Sequence, residues 1–179
     1  MKSIRILDRT FCPFIDSEEI QRAVCRVADE INHDLEGQDP LFVSILNGSF
    51  MFAADLMKHV SIPCEITFWK LSSYSGTSST GQINEQMPLL QSVRDRNVVI
   101  VEDIVDTGYT MQHILEAMQR EGARSVRICT FFQKPEALKV KDLKVDYVAI
   151  KIPNAFIVGY GLDYDGYGRN LPDVYQVEA

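Results

Sequence analysis

Spacings that bind metals are missing from this chain. Cys12, Cys25, Cys64 and Cys129 make no C-x-x-C pair, and His33, His59 and His113 fall into no ligand spacing. Free thiols, most of them buried or half-buried in a reducing cytoplasm, are the expectation. No apolar run approaches the ~20 residues needed to span a membrane. The opening Met1 to Asp8 stretch lacks the apolar core of a signal peptide. We therefore expect a soluble cytoplasmic protein with no membrane contact. Positive charge is also in short supply: 18 Lys and Arg against 25 Asp and Glu leave a net charge of −7. That balance argues against nucleic-acid binding, which needs a basic surface. There is no internal repeat and no interdomain linker. The G-x-x-x-x-G-K-[ST] pattern is absent too, which excludes a P-loop.

What remains is an ordinary globular composition. The 179 residues are 46% hydrophobic and 24% charged, enough for one domain with a proper core. Residues 4–8 read as a short peripheral strand. From Asp16 to Glu36, Ile20, Val24, Val27, Ile31 and Leu35 recur at helical spacing, with Asp16 or Ser17 as N-cap and Gly37 as stop. Leu41 to Leu46 is a buried strand that runs into Asn47-Gly48-Ser49 and a short helix through Phe52, Leu56 and Met57. A strand follows at Ile66 to Leu71, then a polar loop over 73–86 with no core-forming pattern. Val98 to Val101 is a strand buried on both faces, followed by a helix to Glu121 and a break at Gly122. Further strands are expected at Ser125 to Phe132, Val145 to Ile150, Phe156 to Gly159 and Val174 to Val177. This alternation predicts right-handed βαβ units: an α/β fold with a central parallel β-sheet flanked by helices.

The chemistry concentrates in Val98-Val99-Ile100-Val101-Glu102-Asp103-Ile104-Val105-Asp106-Thr107-Gly108-Tyr109-Thr110. Carboxylates at the carboxyl end of a parallel strand occupy the place where such sheets bind ligands. The Thr107 to Thr110 turn then opens a helix whose free N–H groups suit one phosphate. A sugar phosphate satisfies both, its hydroxyls donating to the acids and its phosphate accepting from the loop. The plain alternative is a capped helix start, with Asp106 or Thr107 as N-cap. Adjacent strand residues face opposite ways, so Glu102 and Asp103 share one ligand only if the strand ends or twists there.

This segment resembles the signature of the type I phosphoribosyltransferases, which bind 5-phosphoribosyl 1-diphosphate (PRPP). The resemblance implies that Glu102 and Asp103 hold the ribose hydroxyls, and that Asp106, Thr107, Gly108, Tyr109 and Thr110 hold the 5′-phosphate. Asp106 is the implied general base. Leu46-Asn47-Gly48 stands where the family places a diphosphate-binding loop, often with a cis peptide, although a lysine is common at the Asn47 position. Ser73-Tyr74 begins the polar loop, implied to contact diphosphate and to act as a lid. Lys134, after Phe131-Phe132-Gln133, is placed to donate to the exocyclic oxygen of a 6-oxopurine.

The run Phe156-Ile157-Val158-Gly159-Tyr160-Gly161-Leu162-Asp163-Tyr164-Asp165-Gly166-Tyr167-Gly168-Arg169 resembles the carboxyl-terminal motif of the hypoxanthine-guanine phosphoribosyltransferases. By that resemblance Phe156 stacks on the base and the Ile157 backbone reads its edge. Asp163 lies at the purine site and helps hold a second Mg²⁺, and Arg169 binds diphosphate. Ala155 replaces a frequent lysine. Mg²⁺ is the implied cofactor, at Glu102, Asp103 and Asp163, between carboxylates and diphosphate. The resemblance covers nearly the whole chain: a core at about 16–150 and a hood from 1–15 and 151–179. It implies purine salvage on PRPP and hypoxanthine or guanine, by a homodimer or homotetramer. A transferase for xanthine, adenine or a pyrimidine is the alternative, as is a regulator that senses PRPP on the same fold.

Overall fold

The computed structural model describes residues 2–73 and 83–178. Two sheets organise it. In the larger, the order is β5-β4-β3-β6-β7-β8, built from Ile83–Met87, Glu65–Ser73, Leu41–Leu46, Asn97–Val105, Ser125–Gln133 and Tyr147–Lys151. Strands β3, β4, β6, β7 and β8 are mutually parallel, whereas β5 pairs antiparallel with β4. The central sheet is thus mixed rather than purely parallel. Helices α1 (Ser17–Asp34) and α2 (Phe50–His59) pack on one face, and α3 (Tyr109–Arg120) on the other. β3 explains the uninterrupted apolar run: Leu41, Val43 and Ile45 enter the core under α3, while Phe42 enters the core under α1 and α2.

Helix α1 starts as its sequence dictates, with the Asp16 carboxylate accepting from the Glu19 N–H at 2.8 Å. It buries Ile20, Val24, Val27 and Ile31 along one stripe. A single truncation in that stripe, such as Ile31→Ala, costs about 2–5 kcal/mol.

The smaller sheet, order β1-β2-β10-β9, is made from both chain ends: Ile4–Ile6, Arg9–Ile15, Val174–Val177 and Ile157–Val158. The expected strand at 4–8 is present as β1. Its partner β2 was not legible, because Pro13 argues against a strand. Pro13 lies past the last β1 pairing, Ile4 with Phe11, where β2 has only β10 beside it.

Two further expectations change. Residues 83–87 are a strand rather than loop: they form a ribbon at the sheet edge, where the Trp69 indole N–H donates to Glu85 at 2.7 Å. A ribbon of that kind needs no full apolar pattern. The strand expected to end near Val101 continues as β6 to Val105. Pairing with β3 stops at Ser44 and Val101, and beyond it β6 runs on beside β7 alone as far as Val105 and Gln133. That overhang carries the acids. No described helix is long and apolar enough to cross a membrane.

Candidate active site

Glu102 and Asp103 lie on the β6 overhang. Glu102 is buried, at 7% exposure, and its carboxylate turns back to accept from the Asp103 N–H at 3.1 Å. The Glu102 side chain thus folds back toward Asp103 while the strand itself runs on to Val105. Burial raises the pKa of both groups, and for Glu102 the neighbouring Asp103 charge raises it further. Asp103 is partly relieved by the Arg169 guanidinium and the Ile104 N–H.

Asn47 and Gly48 follow β3, and the Leu46–Asn47 peptide is cis, as the resemblance implied. Gly48 has no room for a side chain. A Cβ there would lie 1.4 Å from an Asp103 carboxylate oxygen. The loop is held from below by Ser49, fully buried, whose Oγ donates to the Ile45 carbonyl at 2.5 Å and lies 2.7 Å from Ser44 Oγ.

The phosphate loop ends in α3, whose N-cap is Gly108 at φ 88° with no side-chain capping bond. Neither Asp106 nor Thr107 is spent as a cap, so the plain reading of these residues fails. A Cβ at Gly108 would come within 2.9 Å of both Leu138 and Leu143, so this position needs glycine twice over. The Thr107 carbonyl accepts from Lys139 and Val140 N–H groups at 3.0 and 3.2 Å. The N–H groups of the first α3 turn, from Tyr109 and Thr110 onward, have no intrahelical acceptor. Tyr109 itself is 47% exposed.

Lys134 leaves β7 beside this loop. It is buried, and its Nζ lies 3.1 Å from Asp106 Oδ2. The structure thus joins two residues that sequence reasoning had assigned separately, one to a base oxygen and one to proton transfer.

The carboxyl-terminal run folds over the same sheet edge. The Arg169 guanidinium pairs with Asp163 at 2.7 Å and donates to the Gly161 carbonyl at 2.7 Å. Asp163 also accepts from the Gly166 N–H at 2.7 Å. Phe156 is 43% exposed and packs against Phe11 and Tyr164, with ring centres 6.3 and 5.9 Å away. Ile157 lies on β9, an edge strand. Because the Phe156 carbonyl accepts from Val177 toward β10, the Ile157 N–H and C=O point to the unpaired side. Ser73 is the last residue of β4, and Tyr74 lies outside the described residues.

Comparison with known proteins decides the family: residues 15–165 match the model of the phosphoribosyl transferase domain. The chain belongs to the phosphoribosyltransferases. It is 42% identical to the hypoxanthine-guanine phosphoribosyltransferase of Streptococcus mutans, over 88% of this chain and 87% of that one. The Bacillus subtilis enzyme of the same name is 39% identical, over 88% of both. Among solved structures, a Bacillus anthracis hypoxanthine-guanine phosphoribosyltransferase superposes with a TM-score of 0.89 at 36% identity, covering 97% of this chain and 100% of that one.

This phosphoribosyltransferase also uses residues that its sequence did not announce. A Cβ at Gly161 would lie 2.0 Å from the Gly48 carbonyl, so the two glycines seat the carboxyl-terminal run on the Asn47 loop. The phenol of Tyr160 donates to Asp55 at 2.9 Å, reaching helix α2. The glycines on either side of Tyr160 were the available signal, since an isolated glycine at the end of a strand pattern marks close backbone approach.

As to metal, no group of three His, Cys, Asp or Glu among the described residues could hold an ion unaided. The donor set is all carboxylate, on two acids whose charges burial disfavours. That chemistry fits a hard divalent ion shared with ligand oxygens, which is how Mg²⁺ commonly binds.

Proposed function

We propose that this chain transfers phosphoribose from PRPP to hypoxanthine or guanine, giving the nucleotide and diphosphate in purine salvage. The observation that carries the reading is the Lys134–Asp106 pair, 3.1 Å apart, at the mouth of the phosphate loop. A 6-oxopurine presents a carbonyl oxygen beside a ring nitrogen, so an ammonium and a carboxylate side by side match that edge. Lys134 donates to the oxygen while Asp106 accepts the proton leaving the ring nitrogen. Adenine would set an amino group against the ammonium and leave a buried donor unpaired.

Glu102 and Asp103 hold the ribose hydroxyls, and the Asp106 to Thr110 loop takes the 5′-phosphate on its N–H groups. Asn47, Gly48 and Arg169 receive the diphosphate, together with Ser73 at the end of β4 and Tyr74 next to it in sequence. Phe156 stacks on the base and the outward-facing backbone of Ile157 reads its edge, with Asp163 nearby. When bound, Mg²⁺ at Glu102 and Asp103, with a second at Asp163, would neutralise the departing diphosphate. The protein's own share is to hold sugar and base in line and to keep the proton acceptor beside the base. We assign the core to about 16–150 and the hood to 1–15 and 151–179, in a cytoplasmic homodimer or homotetramer.

The test is diphosphate release with PRPP and Mg²⁺ against hypoxanthine, guanine, xanthine, adenine and uracil. Release with hypoxanthine or guanine, together with the matching nucleotide, is expected. Release only with adenine or uracil would overturn the base assignment. Silence with every base, while PRPP still binds, would overturn the enzyme reading.

A further inference from the structure

Three consecutive residues of the carboxyl-terminal run have positive φ: Gly159 at 102°, Tyr160 at 48° and Gly161 at 96°. Glycine adopts this region freely, whereas a bulky side chain rarely does. A tyrosine kept in the middle of such a stretch points to a task for its side chain. That side chain is 3% exposed, with its ring centre 4.7 Å from that of Phe131. Its phenol crosses 105 positions of sequence to donate to Asp55 on α2 at 2.9 Å.

Both ends of this bond lead into the site. On the α2 side, the helix follows directly from Asn47, Gly48 and Ser49. On the other side, Tyr160 precedes Gly161, whose carbonyl accepts from Arg169 and whose α-carbon rests on the Gly48 carbonyl. The Gly161 N–H in turn donates to the Arg169 carbonyl at 3.0 Å. Asp55 is built as an acceptor. Burial would push its pKa up, but hydrogen bonds from Lys58, Gln21 and Tyr160 outweigh that and hold it below the usual value. Burial, then the Asp55 charge, raises the Tyr160 phenol, so it stays a donor at any working pH.

We infer that Tyr160 and Asp55 form a strut that sets the spacing between the Asn47–Gly48 loop and Arg169, the two halves of the diphosphate site, making Tyr160 a positioning residue for PRPP. The inference rests on the functional reading above. Among the described residues the hydrogen bonds of Tyr160 and Asp55 outside the α2 backbone run to each other, to Gln21, Lys58 and the Leu171 carbonyl, and none to Phe156, Ile157 or Lys134, so its effect should fall mainly on one substrate.

The experiment is Tyr160→Phe, which deletes one hydroxyl and leaves the ring in place, read by the calorimetric Kd for PRPP with Mg²⁺ and the KM for hypoxanthine. We expect PRPP affinity to fall about tenfold, the scale on which small misplacements act, and the hypoxanthine KM to stay within about twofold. Asp55→Asn retains an acceptor for the phenol and should keep PRPP affinity near wild type, whereas Asp55→Ala should match Tyr160→Phe. The double variant Tyr160→Phe with Asp55→Ala should lose little more than either alone. Unchanged PRPP affinity in Tyr160→Phe, or parallel losses for both substrates with a lowered Tm, overturns the strut. The functional reading fails differently, in the wild type. A wild-type chain that binds PRPP but transfers to no base refutes that reading, while the Tyr160→Phe affinity still decides the strut.

Discussion

At the scale of single residues, the site is made of charges that were each other's partners first. Asp106 has Lys134 beside it, Asp163 has Arg169, and the Glu102 carboxylate accepts from the Asp103 N–H. Replacing Asp106 by Asn keeps the shape and removes the proposed proton acceptor. Turnover should fall about 10²- to 10⁴-fold, well beyond any change in PRPP affinity, as measured by diphosphate release at saturating PRPP. The acid pair makes a stability prediction of opposite sign. Both folded-state pKa values are raised above those of the unfolded chain. The pair therefore costs nothing below about pH 4, and its penalty grows as pH rises through the raised folded values. Glu102→Gln should stabilise the ligand-free protein at pH 8 by about 0.5–2 kcal/mol, with no gain at pH 4, as followed by thermal melts. Residue types in order along the chain were enough to name most of these groups. Their pairing was not legible, because Asp106 and Lys134 meet only when β6 and β7 lie side by side.

At the scale of elements, what the sequence told depended on how much of each element is buried. Helix α1 and strands β3, β6 and β7 are covered by core on one or both faces, and their apolar patterns located them to within a few residues. Strands β2 and β5 were hidden for the opposite reason. One contains a proline that is harmless only beyond the end of β1, and the other is a polar edge ribbon held partly by the Trp69 to Glu85 bond. The continuation of β6 past Val101 was hidden too, since Glu102 and Asp103 read as the end of a strand. Contacts between elements were the least visible. Gly161→Ala should show their importance: its Cβ would collide with the Gly48 carbonyl at 2.0 Å, backbone that cannot swing aside. We expect PRPP binding to be lost from calorimetry while far-UV circular dichroism stays native, because the larger sheet is untouched.

At the scale of the whole molecule, a chain of net charge −7 has to receive a strongly anionic substrate. The proposed reading meets this with Mg²⁺ and the N–H groups at the start of α3. Arg169 and Lys134, the cationic side chains assigned to the site, are already matched to carboxylates. If these residues bind it, a phosphorylated ligand would not displace a cloud of small ions from exposed lysines, the process that makes nucleic-acid binding so sensitive to salt. On the proposed reading it would trade places with Asp163 at Arg169. Binding is an exchange among fixed partners, and dissolved electrolyte is largely a bystander. At constant free Mg²⁺, the PRPP Kd should change by less than about threefold between 50 and 300 mM KCl, against the orders of magnitude seen where counter-ions are released.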